Sequence, residues 1–136
     1  MNTLRINTDG GARGNPGPAA VGVVLRMGDF ERTHNRVLGT ATNNVAEYTA
    51  VIDALELVPQ AITEQGVERL EFYLDSQLVV RQILGQYKIK EPTLLKLCMS
   101  IRQRLAELAL PYSFNHVPRA ENSQADKLVN QALDGR

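Results

Sequence analysis

The sequence holds one cysteine, two histidines and no tryptophan, and its 15 basic and 15 acidic side chains cancel to a net charge of zero. A lone Cys98 excludes an internal disulfide framework, and with only His34 and His116 beside it a Cys/His zinc site is a poor reading. Zero net charge argues against a chain that holds nucleic acid by bulk charge alone. No apolar run approaches the roughly 18–20 residues that span a bilayer, and MNTLRINTDGG carries no hydrophobic signal core. The expectation is a cytoplasmic protein without membrane contact, monomeric by default. What is present is ample for a core: 136 residues, 43% of them apolar, with no repeat, low-complexity stretch or linker, read as one domain over 1–136. Residues 1–67 hold 5 basic and 7 acidic side chains and residues 68–136 hold 10 and 8, so a basic surface would come from the second half.

Hydrophobic period and punctuation give the elements. Residues 3–9 alternate, Leu4 and Ile6 against Arg5 and Asn7, and stop at a turn formed by Asp9-Gly10-Gly11. Residues 19–27 and 30–38 read as two more strands joined by a Gly28-Asp29 hairpin. From Asn44 the period becomes helical through Tyr48, Val51, Ile52, Leu55 and Val58; Pro59 should end or kink this helix, and Gly66 closes the segment. Residues 68–75 form a fourth strand. Ser76 caps a helix carrying Leu78, Val79, Ile83 and Leu84 to near Gly85. Pro92 opens another helix with Leu94, Leu95, Leu97, Cys98, Ile101, Leu105 and Leu108, in which Cys98 is core filler. Residues 111–117 are a fifth strand and 121–133 a last helix. The order βββαβααβα predicts an α/β fold: a five-stranded mixed sheet flanked by helices.

Four acids stand out. Asp9 and Asp75 close strands, at the carboxyl ends where ligands gather in open α/β sheets. Taken alone, Asp9 reads as a turn former and Asp75 as a lead-in to the Ser76 cap. Glu47 shares a stripe with Val51, Ala54 and Val58 and borders an apolar face; its plain alternative is a solvated first-turn glutamate. Asp126 borders the stripe of Val129 and Leu133, with a salt bridge to a Lys or Arg as its alternative. Spacing permits the four to converge on one small site. Clustered carboxylates raise one another's pKa unless a cation neutralises them, and an all-oxygen set suits Mg²⁺ and Mn²⁺. Two such ions about 4 Å apart can activate water and stabilise a leaving oxygen in phosphodiester cleavage.

NTDGGARGNPGPAAVG (7–22), TNNVAEYTAVIDAL (42–55), YLDSQLVV (73–80) and NHVPRAENSQADKLVN (115–130) resemble, in order, the motif series of the ribonuclease HI family. The resemblance covers residues 3 to 134. It implies a ribonuclease H fold and metal-dependent hydrolysis of RNA in RNA–DNA hybrids. By motif it makes Asp9, Glu47, Asp75 and Asp126 the metal-binding acids, holding two Mg²⁺ per site with substrate and accepting Mn²⁺ as a substitute. His116 matches the family's mobile-loop histidine, which activates water or releases product; the alternative is a strand-end histidine without duty. The resemblance places Gly10, Gly11 and Asn15 along the hybrid's minor groove, where glycines allow close backbone approach to the RNA 2′-hydroxyls. Asn43, Asn44 and Gln77 match substrate-contacting positions, with a helix cap as the alternative for either asparagine, and Arg13 and Arg119 are candidate phosphate contacts.

The sequence also departs from the pattern. A basic, tryptophan-containing excursion found in many members is replaced by GQYKIKEP (85–92), resembling the shorter archaeal and some bacterial forms. This implies weaker hybrid binding, with Lys88, Lys90, Lys96, Arg102 and Arg104 as compensating charges. Two alternatives stay open: a module binding hybrid or double-stranded RNA with little turnover, and a nuclease acting on double-stranded RNA. The segment 58–66 looks longer than a minimal link and suggests no function.

Overall fold

The computed structural model describes residues 1–135. Its elements are β1 (Thr3–Ala12), β2 (Gly17–Met27), β3 (Phe30–Ala41), α1 (Asn43–Gln65), β4 (Arg69–Leu74), α2 (Gln77–Ile83), α3 (Pro92–Leu108), β5 (Tyr112–His116) and α4 (Ser123–Leu133), with a 3₁₀ turn over Arg119–Asn122. They build one sheet in the order β3-β2-β1-β4-β5. β1, β2 and β3 pair antiparallel, whereas β4 runs parallel to β1 and β5 parallel to β4. Leu4, Ile6, Val23, Leu25, Leu70, Phe72, Leu74 and Phe114 line one face and form the core with α1, α2 and α3. The Phe72 and Phe114 rings stack with centroids 4.4 Å apart.

Several expectations are corrected. Asp9-Gly10-Gly11 is no turn: β1 runs on to Ala12, with Asp9 opposite Gly22, Gly10 opposite Val21 and Gly11 opposite Ala20, and the chain reverses over residues 13–16. Gly10, and Gly22 on the neighbouring strand, serve close packing and not a turn. A Cβ on Gly10 would lie 2.2 Å from the Ala46 carbonyl, and one on Gly22 would lie 2.3 Å from the Ala125 carbonyl oxygen. Because Asp9 and Gly22 are cross-strand partners and Gly10 follows Asp9, the two gaps open on opposite faces of the sheet. The start of α1 fills one and α4 the other.

Pro59 neither ends nor visibly divides α1, which continues to Gln65 and closes on a left-handed Gly66. The apolar stripe persists beyond it through buried Ala61 and partly buried Ile62, so core packing offsets the hydrogen bond that proline cannot donate. The segment 58–66 is therefore the end of a helix and not a link. In α2 the buried residues are Val79, Val80, Gln82 and Ile83, while Leu78 and Leu84 are exposed, and in α3 Leu95 is exposed too. Finally, α4 begins at Ser123, after the 3₁₀ turn, and α1 is capped by Thr42 instead of an asparagine. The Ser76 cap, the Gly28-Asp29 hairpin, the Pro92 start and the buried Cys98 stand as expected.

One buried carboxylate lies apart from the four acids. Asp53 of α1 accepts two hydrogen bonds from Arg36, at 2.7 and 3.0 Å, and its Oδ2 lies 3.0 Å from His34 Nε2, which pins the helix to edge strand β3. Burial pushes its pKa up, but these two partners outweigh that and hold it below the ordinary carboxylate value.

Chemical denaturation tests these contacts. Gly10→Ala and Gly22→Ala should each cost about 3 kcal/mol or more by forcing a helix off the sheet. Gly11→Ala, whose new methyl would meet only Val129 Cγ1 at 3.7 Å, should cost less than about 1 kcal/mol. Asp53→Asn should cost about 1–2 kcal/mol, the half-exposed Arg36 keeping the loss modest.

Candidate active site

Where β1 and β4 part, after the pair Asn7 and Tyr73, the next acids on each strand come together. Asp9 is two residues past that point and Asp75 immediately follows β4. The close approach of α1 at Gly10 carries Glu47 to them, since Glu47 N is one of the atoms a Gly10 Cβ would strike. One carboxylate oxygen from each of Asp9, Glu47 and Asp75 lies within 4.8 Å of the others. Asp126, on the first turns of α4, lines the same cleft of about 310 Å³ and lies close enough to Asp9 for a proton to be hydrogen-bonded between them.

The environment is hostile to that much negative charge. Asp9 is 6% exposed and Glu47 9%. Burial, then the charges of Asp75 and Asp126, push the Asp9 carboxyl up to about 8, against a weaker pull from the Gly10 N–H. Burial, then Asp9 and Asp75, raise Glu47 well above the ordinary range. Asp75 is also raised by burial, with Asn122 and Arg119 opposing. Glu47 Oε2 is buried with no hydrogen-bond partner. A cluster of oxygen donors that repel one another, one of them orphaned, fits a hard divalent cation. The chemistry of the donor set and the orphaned oxygen both pass that test.

The other predicted residues divide. Gly11, Arg13 and Arg119 line the cleft with Gly10, which is itself buried against α1. Arg13 is committed to Asp134 at 2.7 Å and to Asn130 Oδ1 at 3.3 Å. Arg119, 78% exposed in its side chain, pairs with Asp126 at 3.3 Å, so the plain alternative for Asp126 holds alongside its place in the cluster. Asn15 Oδ1 accepts from the Asn43 N–H at 3.0 Å, and Asn43 Oδ1 accepts from the Ala12 N–H at 2.8 Å. These bonds lock the 13–16 reversal to the start of α1. Asn44 lies beside Asn15 in a neighbouring cleft. Gln77 is exposed at the start of α2, outside the carboxylate cleft. His116 is exposed at the end of β5 and outside the cleft lining, paired in register with Leu74, the residue before Asp75.

One asparagine went unread in the sequence. Asn122 is 1% exposed and touches β1 through Asn7 and Thr8. Its one sequence signal is position: it stands four residues, about one helical turn, ahead of Asp126.

Comparison with known proteins agrees with this geometry. A family model described as reverse transcriptase-like matches residues 7–132. The ribonuclease HI of Halobacterium salinarum is 44% identical over 128 residues, covering 93% of this chain and 62% of that protein. The ribonuclease H of Halorhodospira halophila is 37% identical over 143 residues, covering 93% and 90%. A bifunctional protein of Mycobacterium tuberculosis is 43% identical over 133 residues, and the chain spans 95% of itself but only 35% of that relative. The crystal structure of LC11-RNase H1 in complex with an RNA/DNA hybrid superposes with a TM-score of 0.88 at 42% identity, covering 97% of both chains. No helix among the described residues is long and apolar enough to cross a membrane. On sequence, fold and site together, the chain belongs to the ribonuclease H family.

Proposed function

We propose that residues 1–136 act as one catalytic unit, an endonuclease that hydrolyses the RNA strand of RNA–DNA hybrids and leaves 5′-phosphate and 3′-hydroxyl ends. The observation that carries this reading is the meeting of three carboxylate oxygens within 4.8 Å in an open cleft. Likeness to an enzyme solved with an RNA/DNA hybrid supports the choice of substrate. Asp9, Glu47, Asp75 and Asp126 would hold two Mg²⁺ ions, or Mn²⁺ in their place. When bound, the ions supply an activated water and neutralise charge on the leaving oxygen.

The chain's own groups orient and select. Asp9 is the shared centre, facing Glu47 on one side and Asp126 on the other. Arg119 neutralises Asp126 in the free protein and is exposed enough to turn to a phosphate. The Asn15 and Asn43 Nδ2 groups have no partner among the described residues, which leaves donors for the sugars of the hybrid. Gly11 and Arg13 would border the same strand, with Asn44 and Gln77 further along it. His116, exposed at the end of β5, would move a proton at the edge of the site. Zero net charge favours one second reading, a weak binder of hybrid or double-stranded RNA with little turnover.

Digestion of end-labelled hybrid, double-stranded RNA and double-stranded DNA in parallel separates these readings. Internal cuts in the hybrid's RNA strand are expected with Mg²⁺ and none with chelator. Asp9→Asn should lower the rate by roughly a thousandfold or more while the protein stays folded. Equal cutting by wild type and Asp9→Asn would overturn the assignment, and no cutting with any metal would favour the binder.

A second prediction concerns pH. Asp9 holds its proton in the folded protein up to about 8 but only to about 4 when unfolded. That proton's stabilisation is complete below about pH 4 and is lost as pH rises through about 8. Thermal melting in chelator should therefore fall between pH 5 and pH 8.5, Asp9→Asn should flatten that slope, and Mg²⁺ should raise the melting point most at the upper pH.

A further inference from the structure

Resting on the nuclease reading, we propose that Asn122 is a positioning residue for the metal-binding carboxylates: its buried amide bridges β1 beside Asp9, faces Asp75, and fixes the start of the helix that carries Asp126. The residue stands at the N-cap of α4, where an asparagine ordinarily accepts a hydrogen bond from a first-turn N–H. Here its side chain caps nothing. Nδ2 donates instead to the Thr8 carbonyl at 2.8 Å, and Oδ1 accepts from Asn7 Nδ2 at 3.0 Å. The same amide stands within reach of the Asp75 carboxylate.

Geometry explains why the cap is given up. The parallel ladder between β1 and β4 ends at Asn7 and Tyr73, one residue before Thr8. Past that point the strands diverge to expose Asp9 and Asp75, and a sheet that parts leaves backbone groups needing partners. Asn122 fills the wedge and takes the Thr8 carbonyl. An amide offers two N–H groups and two lone pairs, enough to hold a backbone carbonyl, a neighbouring amide and a carboxylate at once. Bound to Asn7, it cannot turn over without losing two bonds. Three of the four acids thereby share one anchor; the fourth, Glu47, is set by the gap at Gly10. Partners of this kind orient ligands and, when removed, cost about 10–100-fold in metal affinity or activity.

The test is calorimetric titration of Mn²⁺ into metal-free protein without nucleic acid, paired with cleavage kinetics. Asn122→Ala should bind Mn²⁺ about tenfold or more weakly, and its metal midpoint for cleavage should move by the same factor. The KM for hybrid at saturating metal should stay at the wild-type value, because a side chain 1% exposed does not touch a duplex. Asp53→Asn, which loses stability away from the site, should bind Mn²⁺ like wild type. Wild-type affinity in Asn122→Ala, or an equal loss in Asp53→Asn, would overturn the inference. If Asn122→Ala does not fold, Asn7→Ala removes only the bond that orients the amide; weakened Mn²⁺ binding is expected, and unchanged binding would overturn the inference. A wild type that binds Mn²⁺ but leaves hybrid intact would remove the nuclease reading while the affinity series still decides the role of Asn122.

Discussion

Carboxylates a few ångströms apart in a poorly solvated cleft repel one another, and this repulsion is the constraint around which the structure is arranged. Burial, reinforced by the neighbouring carboxylates, disfavours charge on both Asp9 and Glu47. Without a cation the cluster keeps protons that a free carboxylate would release. With one, the same crowding becomes a high local density of hard oxygen donors. The instability of the metal-free site and its affinity for metal are thus one property seen under two conditions.

The fold must supply rigidity enough to hold that arrangement, and it does so by close approach. Neighbouring strands carry a glycine each, Gly10 and Gly22, opening gaps on opposite faces of the sheet, and a helix backbone enters each gap. α1 brings Glu47, and α4 brings Asp126. Each helix is then fixed further along its length: α1 by Asp53 gripping Arg36 and His34 of β3, and α4 by Asn35 Nδ2, which donates to the Leu128 carbonyl. The core face of the sheet, filled from Leu4 to Phe114, keeps β1 and β4 in register up to the point where they part. The site occupies that parting.

Much of this was legible in the sequence. Period-2 and helical spacing located all nine elements, and Gly66, Ser76 and Pro92 marked boundaries for reasons that hold in the structure. Glu47 and Asp126 were legible at stripe margins and Asp75 directly after a strand, whereas Asp9 lies three residues inside β1 and not at its end. What escaped depended on tertiary contact. Gly10 and Gly22 look like turn or strand glycines until a helix is placed against them, so Asp9-Gly10-Gly11 was read as a turn. Pro59 looks like a helix stop because local propensity cannot count the core contacts of Ala61 and Ile62 beyond it. Asn122 went unread because its partners, Thr8 and Asn7, lie more than a hundred positions away in sequence. The ion pair between Arg119 and Asp126 was anticipated only as a generic alternative, since no period fixes which arginine reaches which acid.

The most direct test of the account is a crystal of the protein soaked in Mn²⁺, with the ion located by its anomalous scattering. The account predicts density in the cleft, coordinated by Asp9 and by at least one of Glu47 and Asp75, and lost in Asp9→Asn crystals. An empty cleft at saturating Mn²⁺, or an ion bound only elsewhere, would contradict it.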